Sequence, residues 1–240
     1  MWAGAGVTVA ALTALWLISG APIATAAGPD ISGTYWATQY NARIQLVGGG
    51  ELPFTEKGRA AYAANIAGLK DGSIEDRSRK YCTPDGLPRA LATPYPFEII
   101  HGPPGQTLIV YEMNHMIRRI AMGETLPSFE DLITAPYYNG HSVGQFESDT
   151  LVVRTRGFKD ETFLDATGAP HTDLLETTER IRRTSPTELE DVITIHDPEY
   201  YTSDWQARFV YALRKDVRIE DYICGLEHSD LSSVAGVGRR

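Results

Sequence analysis

YYNGHSVGQFESDTLVVRTRGF, residues 137–158, holds two runs of strand-forming residues separated by Glu147-Ser148-Asp149, the pattern of a β-hairpin. His141 stands at its mouth, and Arg154 and Arg156 lie inside it. Alternation places Val153, Thr155 and Gly157 on one face, and Val152, Arg154, Arg156 and Phe158 on the other. The hairpin therefore either carries an ordinary polar outer face or lines a site.

The same pattern extends outward from it. FEII, TLIVYEM, MIRRIAM, LLETTERIRR, LEDVITIH and WQARFVYALR follow one another, broken by turn chemistry such as Gly102-Pro103-Pro104-Gly105 and Ser185-Pro186-Thr187. With an opening strand pair in ISGTYWATQYNARIQLV (31–47), the count reaches about nine or ten strands. No helix of 10–15 residues intervenes between them, which excludes a parallel βαβ sheet. The expected fold is mainly β: a single antiparallel up-and-down barrel of about 8–10 strands, because closure removes the edges of so long a meander. A two-sheet sandwich is the alternative.

One helix is expected, over FTEKGRAAYAANIAGLKDG (54–72), capped by Thr55 and stopped at Gly72. Tyr62, Ile66 and Leu69 recur at helical spacing and predict packing as a lid on the sheet.

The first 26 residues carry no charged side chain, and the apolar run Val7–Ile18 precedes Ala24-Thr25-Ala26, a small-x-small cleavage pattern. This reads as an export signal with a periplasmic or secreted destination, although the usual basic leader is missing. The run falls short of the ~20 residues of a membrane span, so no membrane association is expected after cleavage. The expected organisation is a signal at 1–26, strands and helix at 27–80 packing on the barrel, the barrel body at 81–227, and a flexible tail at 228–240.

The net charge of −9, with basic residues spread among acids, excludes nucleic acid as a partner. Two cysteines in an exported chain invite a Cys82–Cys224 disulfide; the alternative is two buried thiols. No GxSxG elbow, GxGxxG or phosphate loop is present, and no cofactor is implied.

Both faces of LLETTERIRR are mixed: Leu175, Thr177, Glu179 and Ile181 on one, Leu174, Glu176, Thr178, Arg180 and Arg182 on the other. A partly polar barrel interior follows, housing either a ligand or a satisfied Glu–Arg pair. Candidate acid–base residues are His141 at the rim, His115 in the Met113–Met116 turn, His171 in GAPHTD, Glu98 inside an apolar run, and Glu179. Candidate substrate-binding residues are Arg118, Arg154, Arg180, Tyr111 and Trp205. Glu112 and Arg118 flank the turn at positions that would pair across a hairpin, and Glu98 has two readings, a general acid inside its apolar run or a salt-bridge partner of Arg89. A metal site from His141, His171 and Asp173 or Glu179 lacks HxH or HExxH spacing, so no metal is assigned.

The series YCTPDGLPRALATPYPFEII (81–100), YEMNHMIRRIAM (111–122), NGHSVGQFESDTLVVRTRGF (139–158), GAPHTDLLETTERIRR (168–183), TIHDPEYYTSDWQ (194–206) and DYICGLE (221–227) resembles a family of exported, largely uncharacterised bacterial proteins. The resemblance covers roughly residues 54–227. It implies a lipocalin-like (calycin-like) barrel and favours the disulfide, since its first and last motifs each contain one cysteine. Two departures stand out: the family's Trp-Glu-Gly-Asp-Thr turn is Phe146-Glu147-Ser148-Asp149-Thr150 here, and Arg154 replaces an Asp.

Two functions fit. One is a cofactor-independent enzyme of lyase, isomerase, hydratase or cyclase type, with His141 moving a proton on a small, largely apolar molecule. The other is a binding or carrier protein for a small hydrophobic or aromatic molecule. In both, the 137–158 hairpin lines the mouth of a barrel cavity and Arg154 or Arg156 reaches ligand or counter-charge.

Overall fold

The computed structural model describes Met1 and residues 28–132 and 134–222. Nine strands form a closed barrel in chain order. They are β1 Gly33–Ala37, β2 Phe97–His101, β3 Gln106–Tyr111, β4 Ile117–Met122, β5 His141–Glu147, β6 Thr150–Arg156, β7 Glu176–Ser185, β8 Glu188–His196 and β9 Trp205–Leu213. The helices are α1 Glu56–Asp71, α2 Arg77–Tyr81 and α3 Phe129–Leu132. The fold is thus mainly β and closed, as the alternation and turn chemistry predict, and the sandwich alternative is set aside.

One neighbour pair departs from the up-and-down path. Directions alternate around a ring of antiparallel neighbours, so an odd number of strands forces at least one parallel join. Here it is β4–β5, which runs parallel over three positions, Ile120–Ser142, Ala121–Val143 and Met122–Gly144. Residues 123–140, including α3, carry the chain back outside the barrel to make that join. By contrast β7 and β8 pair at nine positions and β8 and β9 at eight.

The expected strand pair within 31–47 does not form. Only Gly33–Ala37 is a strand, pairing with β2 on one side and β9 on the other, while Leu46 makes a single bridge to Ala207. The run after it is broken by Gly48-Gly49-Gly50, all at positive φ.

Strand parity gives the interior directly. Leu151, Val153 and Thr155 of β6, Thr177, Glu179 and Ile181 of β7, and Leu189, Asp191, Ile193 and Ile195 of β8 are all buried. At the β1 side Tyr35, Phe97, Tyr111 and Tyr211 fill the axis through successive ring contacts, with Phe97 edge-on to Tyr211 at 4.8 Å. Each fully buried aliphatic side chain contributes about 1.5–3 kcal/mol.

The helix forms where expected: the Thr55 hydroxyl accepts from the Gly58 amide, and Gly72 caps the far end at φ 82°. Its packing differs. Ile66 is exposed, and the buried positions are Gly58 and Gly68, where an added Cβ would come within 2.2 Å of the Tyr200 carbonyl and 2.5 Å of Ile74. Close backbone approach at the glycines seats this helix together with Tyr62, which stacks on Phe54 at 5.2 Å; of the expected stripe only Ile66 is left out. Arg89 secures the segment after it, donating to both oxygens of Asp76 at 3.0 and 2.7 Å and lying 3.2 Å from Asp85. The signal and tail segments and Cys224, the expected partner of Cys82, lie outside the described residues.

Candidate functional site at the strand seam

The short β4–β5 join leaves the first half of β4 paired to β3 alone, with no strand on its other side. A cleft of about 560 Å³ opens there, between the returning segment and the outer face of β4. Its apolar lining includes Ile117, Ala121, Pro127, Tyr137 and Val143, its polar lining Arg119, Glu124, Asn139 and His141, and it reaches the inward-facing Arg118 and Ser142. Ile117 and Tyr137 are both about half exposed, at 52% and 53%.

Local sequence explains how the wall is held. Gly140 has φ 60°, and a Cβ there would lie 2.7 Å from Thr155 and 2.8 Å from the Arg156 carbonyl, so only glycine lets the chain pass so close to β6. Tyr137 is pinned to the Gly157 and Lys159 backbones by two hydrogen bonds. His141 is half-buried; its Nε2–H donates to the Ala135 carbonyl at 3.2 Å and its ring packs edge-on to Tyr137 at 4.6 Å. The imidazole thus fixes the loop and at the same time faces the cleft.

Behind the cleft floor lies the interior polar network. Arg118 donates from Nη1 to Glu179 Oε1 at 2.8 Å and from Nη2 to Oε2, from Nε to Ser142 Oγ at 3.0 Å, and from Nη2 to Thr155 Oγ1 at 3.0 Å. Burial works against the guanidinium charge, but the Glu179 carboxylate outweighs it and holds Arg118 above its ordinary range. Asp191 sits beside Glu179. Burial first, and then the charge of Glu179, push its carboxyl well above the usual carboxylate range. The site therefore sets a second buried carboxyl beside one ion pair. Burial likewise pushes the Tyr111 phenol, which faces Arg118, upward.

Of the sequence-predicted residues, Arg118, Glu179 and Tyr111 meet in the interior, and His141 lines the cleft outside it. The others do not join them. Arg154 is on the outer face and exposed, and Arg156 is on that face paired with Glu176 at 2.9 Å, because Val153 and Thr155 take the inward positions. Arg180 is also outward and pairs with Glu147 at 3.1 Å. Glu98 pairs in register with Thr34 and Val110 on the outer side of β2, away from the interior, and Arg89 is taken by Asp76 and Asp85 instead. His115 is exposed at the β3–β4 turn at φ 48°.

Glu112 does not pair with Arg118 but accepts the Glu220 amide at 3.0 Å. His171 is buried, hydrogen-bonded to Thr162 at 2.8 Å and to the Thr172 carbonyl at 2.9 Å, and burial lowers its pKa. It does not meet His141, and among the described residues no cluster of His, Cys, Asp and Glu is arranged for a metal. Trp205 is inward and packs on Tyr201 at 5.4 Å.

Asp191 escaped the sequence reading. The signal for Asp191 was present: in LEDVITIH it shares the parity of Leu189, Ile193 and Ile195, an acid on an otherwise apolar face.

No family model matches the chain, and no curated protein matches it. Among solved structures, a crystal structure of a mutant of the fluorescent protein UnaG is similar over 78% of this chain and 97% of that one, at 14% identity and a TM-score of 0.33. At that score the barrel assignment rests on the strand pairing itself.

Proposed function

We propose that the protein is an exported β-barrel that binds a small, largely apolar molecule in the cleft at the β4–β5 seam. The observation that carries this reading is the cleft itself. Its walls are mostly apolar, with a few polar groups converging at Arg118 and Ser142, which is the composition of a small-molecule site. Export is supported by the uncharged, apolar first 26 residues and Ala24-Thr25-Ala26; amino-terminal sequencing of the secreted protein tests it. Confined outside the cytoplasm, a Cys82–Cys224 disulfide would tie the segment before β2 to the chain after β9.

Binding is tested by displacement of an environment-sensitive apolar dye, comparing Ala121→Trp, which fills the cleft, with Ile100→Trp on the outer face of β2. The reading predicts loss of saturable dye binding in the first variant only, with melting temperature kept in both. Equal binding by both would place the site elsewhere.

A second reading, acid–base catalysis in the same cleft, has one observation in its favour. His141 presents an imidazole whose Nε2 is engaged by Ala135, leaving Nδ1 as the acceptor. Under this reading His141→Ala loses turnover far beyond any loss of affinity; under the binding reading it only loosens the loop that His141 holds at Ala135 and weakens binding to match.

A further inference from the structure

Four polar atoms within the barrel have no hydrogen-bond partner: the Tyr111 hydroxyl, Thr177 Oγ1, Asp191 Oδ1 and Trp205 Nε1. Their residues are between 2% and 4% exposed and stand at inward positions of β3, β7, β8 and β9. Native interiors satisfy nearly all such groups, so unpartnered ones concentrated in one interior mark a place meant for something else to bond. Two of the four, on Tyr111 and Asp191, border the Arg118–Glu179 pair. Arg118 in turn reaches the floor of the seam cleft beside Ser142. Ser142 and Arg118 thus connect the cleft floor, through one hydrogen bond, to the neighbourhood of buried groups with unused bonding capacity.

The charges along that path select the ligand. The Arg118 charge is already matched by both oxygens of Glu179, and four of its N–H contacts are committed to Glu179, Ser142 and Thr155. A second anion would meet the Glu179 carboxylate in a low-dielectric interior with no free cation beside it among the described residues. Resting on the binding role of the seam cleft, we propose that its ligand is a neutral oxygenated molecule, an alcohol or ketone with an apolar body, whose oxygen passes Ser142 to bond Tyr111, an alcohol bonding Asp191 as well. The Tyr111 hydroxyl donates to a carbonyl, and Asp191 Oδ1 accepts from an alcohol. Exposed Arg119 at the cleft mouth is the group that a carboxylate would choose instead.

The test uses the full chain and three compounds of similar skeleton, acetophenone, 1-phenylethanol and benzoate, titrated by protein-observed NMR. Tyr111→Phe deletes an unpartnered hydroxyl and so leaves the fold intact, which a melting curve checks. The expected result is that the ketone and the alcohol bind at least tenfold tighter than benzoate, and that Tyr111→Phe weakens the ketone about three- to tenfold while leaving benzoate unchanged. Tighter binding of benzoate, lost in Arg119→Gln, would overturn the neutral-ligand inference and leave the cleft reading standing. Ketone and alcohol affinities both indifferent to Tyr111→Phe would overturn it as well, leaving those buried groups to water. If Ala121→Trp leaves every affinity unchanged, the cleft reading itself fails, and this inference with it.

Discussion

The β7–β8–β9 wall and the β4–β5 seam are built from the same alternating strands and do opposite jobs. The wall pairs over nine and eight positions and turns an unbroken inward row of Leu189, Asp191, Ile193 and Ile195 to the core. The seam pairs over three positions and leaves Ile117 half exposed beside a cleft. The wall supplies cooperativity through cross-strand packing. The seam exists because nine strands cannot alternate around a closed ring; β1 pairs over as few positions on each of its sides, but only the β4–β5 join runs parallel, and the cleft proposed to take a ligand opens beside it.

The comparison is broken most severely at the point where the two regions touch. Arg118 on the seam strand neutralises Glu179 on the wall, so Arg118→Leu leaves two buried carboxyls without a cation and should cost about 3–5 kcal/mol, measured by urea denaturation. A cost under ~1 kcal/mol would mean that the network is not what joins the regions.

Next in size is a matched truncation. Ile193→Ala in the wall, fully buried, should cost about 2–5 kcal/mol. Val143→Ala at the seam, only half-buried and facing the cleft, should cost under ~1 kcal/mol. Equal costs would erase the distinction between wall and seam. Smaller than the wall truncation, Gly140→Ala imposes a left-handed conformation on a residue with a Cβ and presses it on Thr155; about 1–3 kcal/mol is expected, together with a distorted cleft seen in the Tyr137 and Asn139 amide shifts.

The wall and the loop above it also titrate in opposite senses. Asp191 has its folded pKa raised, so its contribution is complete below about pH 3.9, the unfolded value, and is lost as pH rises toward the folded one. Asp191→Asn removes that loss, so the variant should gain on the wild type by up to ~1.4 kcal/mol per pH unit across this window. His171 has its folded pKa lowered, so its contribution is complete above about pH 6.5 and is lost as pH falls below it. His171→Asn should flatten that acid-side loss. Stability–pH profiles of the two variants that fail to tilt in opposite directions would contradict the assignments.

The fold was legible because period-two alternation and turn residues dominate residues 96–213, and because Thr55 and Gly72 mark the helix plainly. The site was half legible. Glu179 was among the candidates, but both faces of its strand are mixed, so neither its inward position nor its partner Arg118 could be read; pairing β4 with β7 is a matter of barrel closure, not local pattern. Arg154 and Arg180 misled because an arginine on a mixed strand looks the same whether it faces solvent or cavity, and only register decides. The seam was invisible because it depends on strand number and on the direction of the 123–140 return. Ser148 shows the same limit locally: it holds φ 58°, a conformation that the glycine of the resembled turn adopts without strain.

The most direct measurement is a crystal structure with the tightest-binding alcohol or ketone bound. The account predicts the molecule between β4 and residues 123–140, with its apolar body against Ile117 and Tyr137 and its oxygen beyond Ser142. Density for it in the cleft of about 280 Å³ lined by Asp85 and Arg89, with the seam left empty, would contradict it.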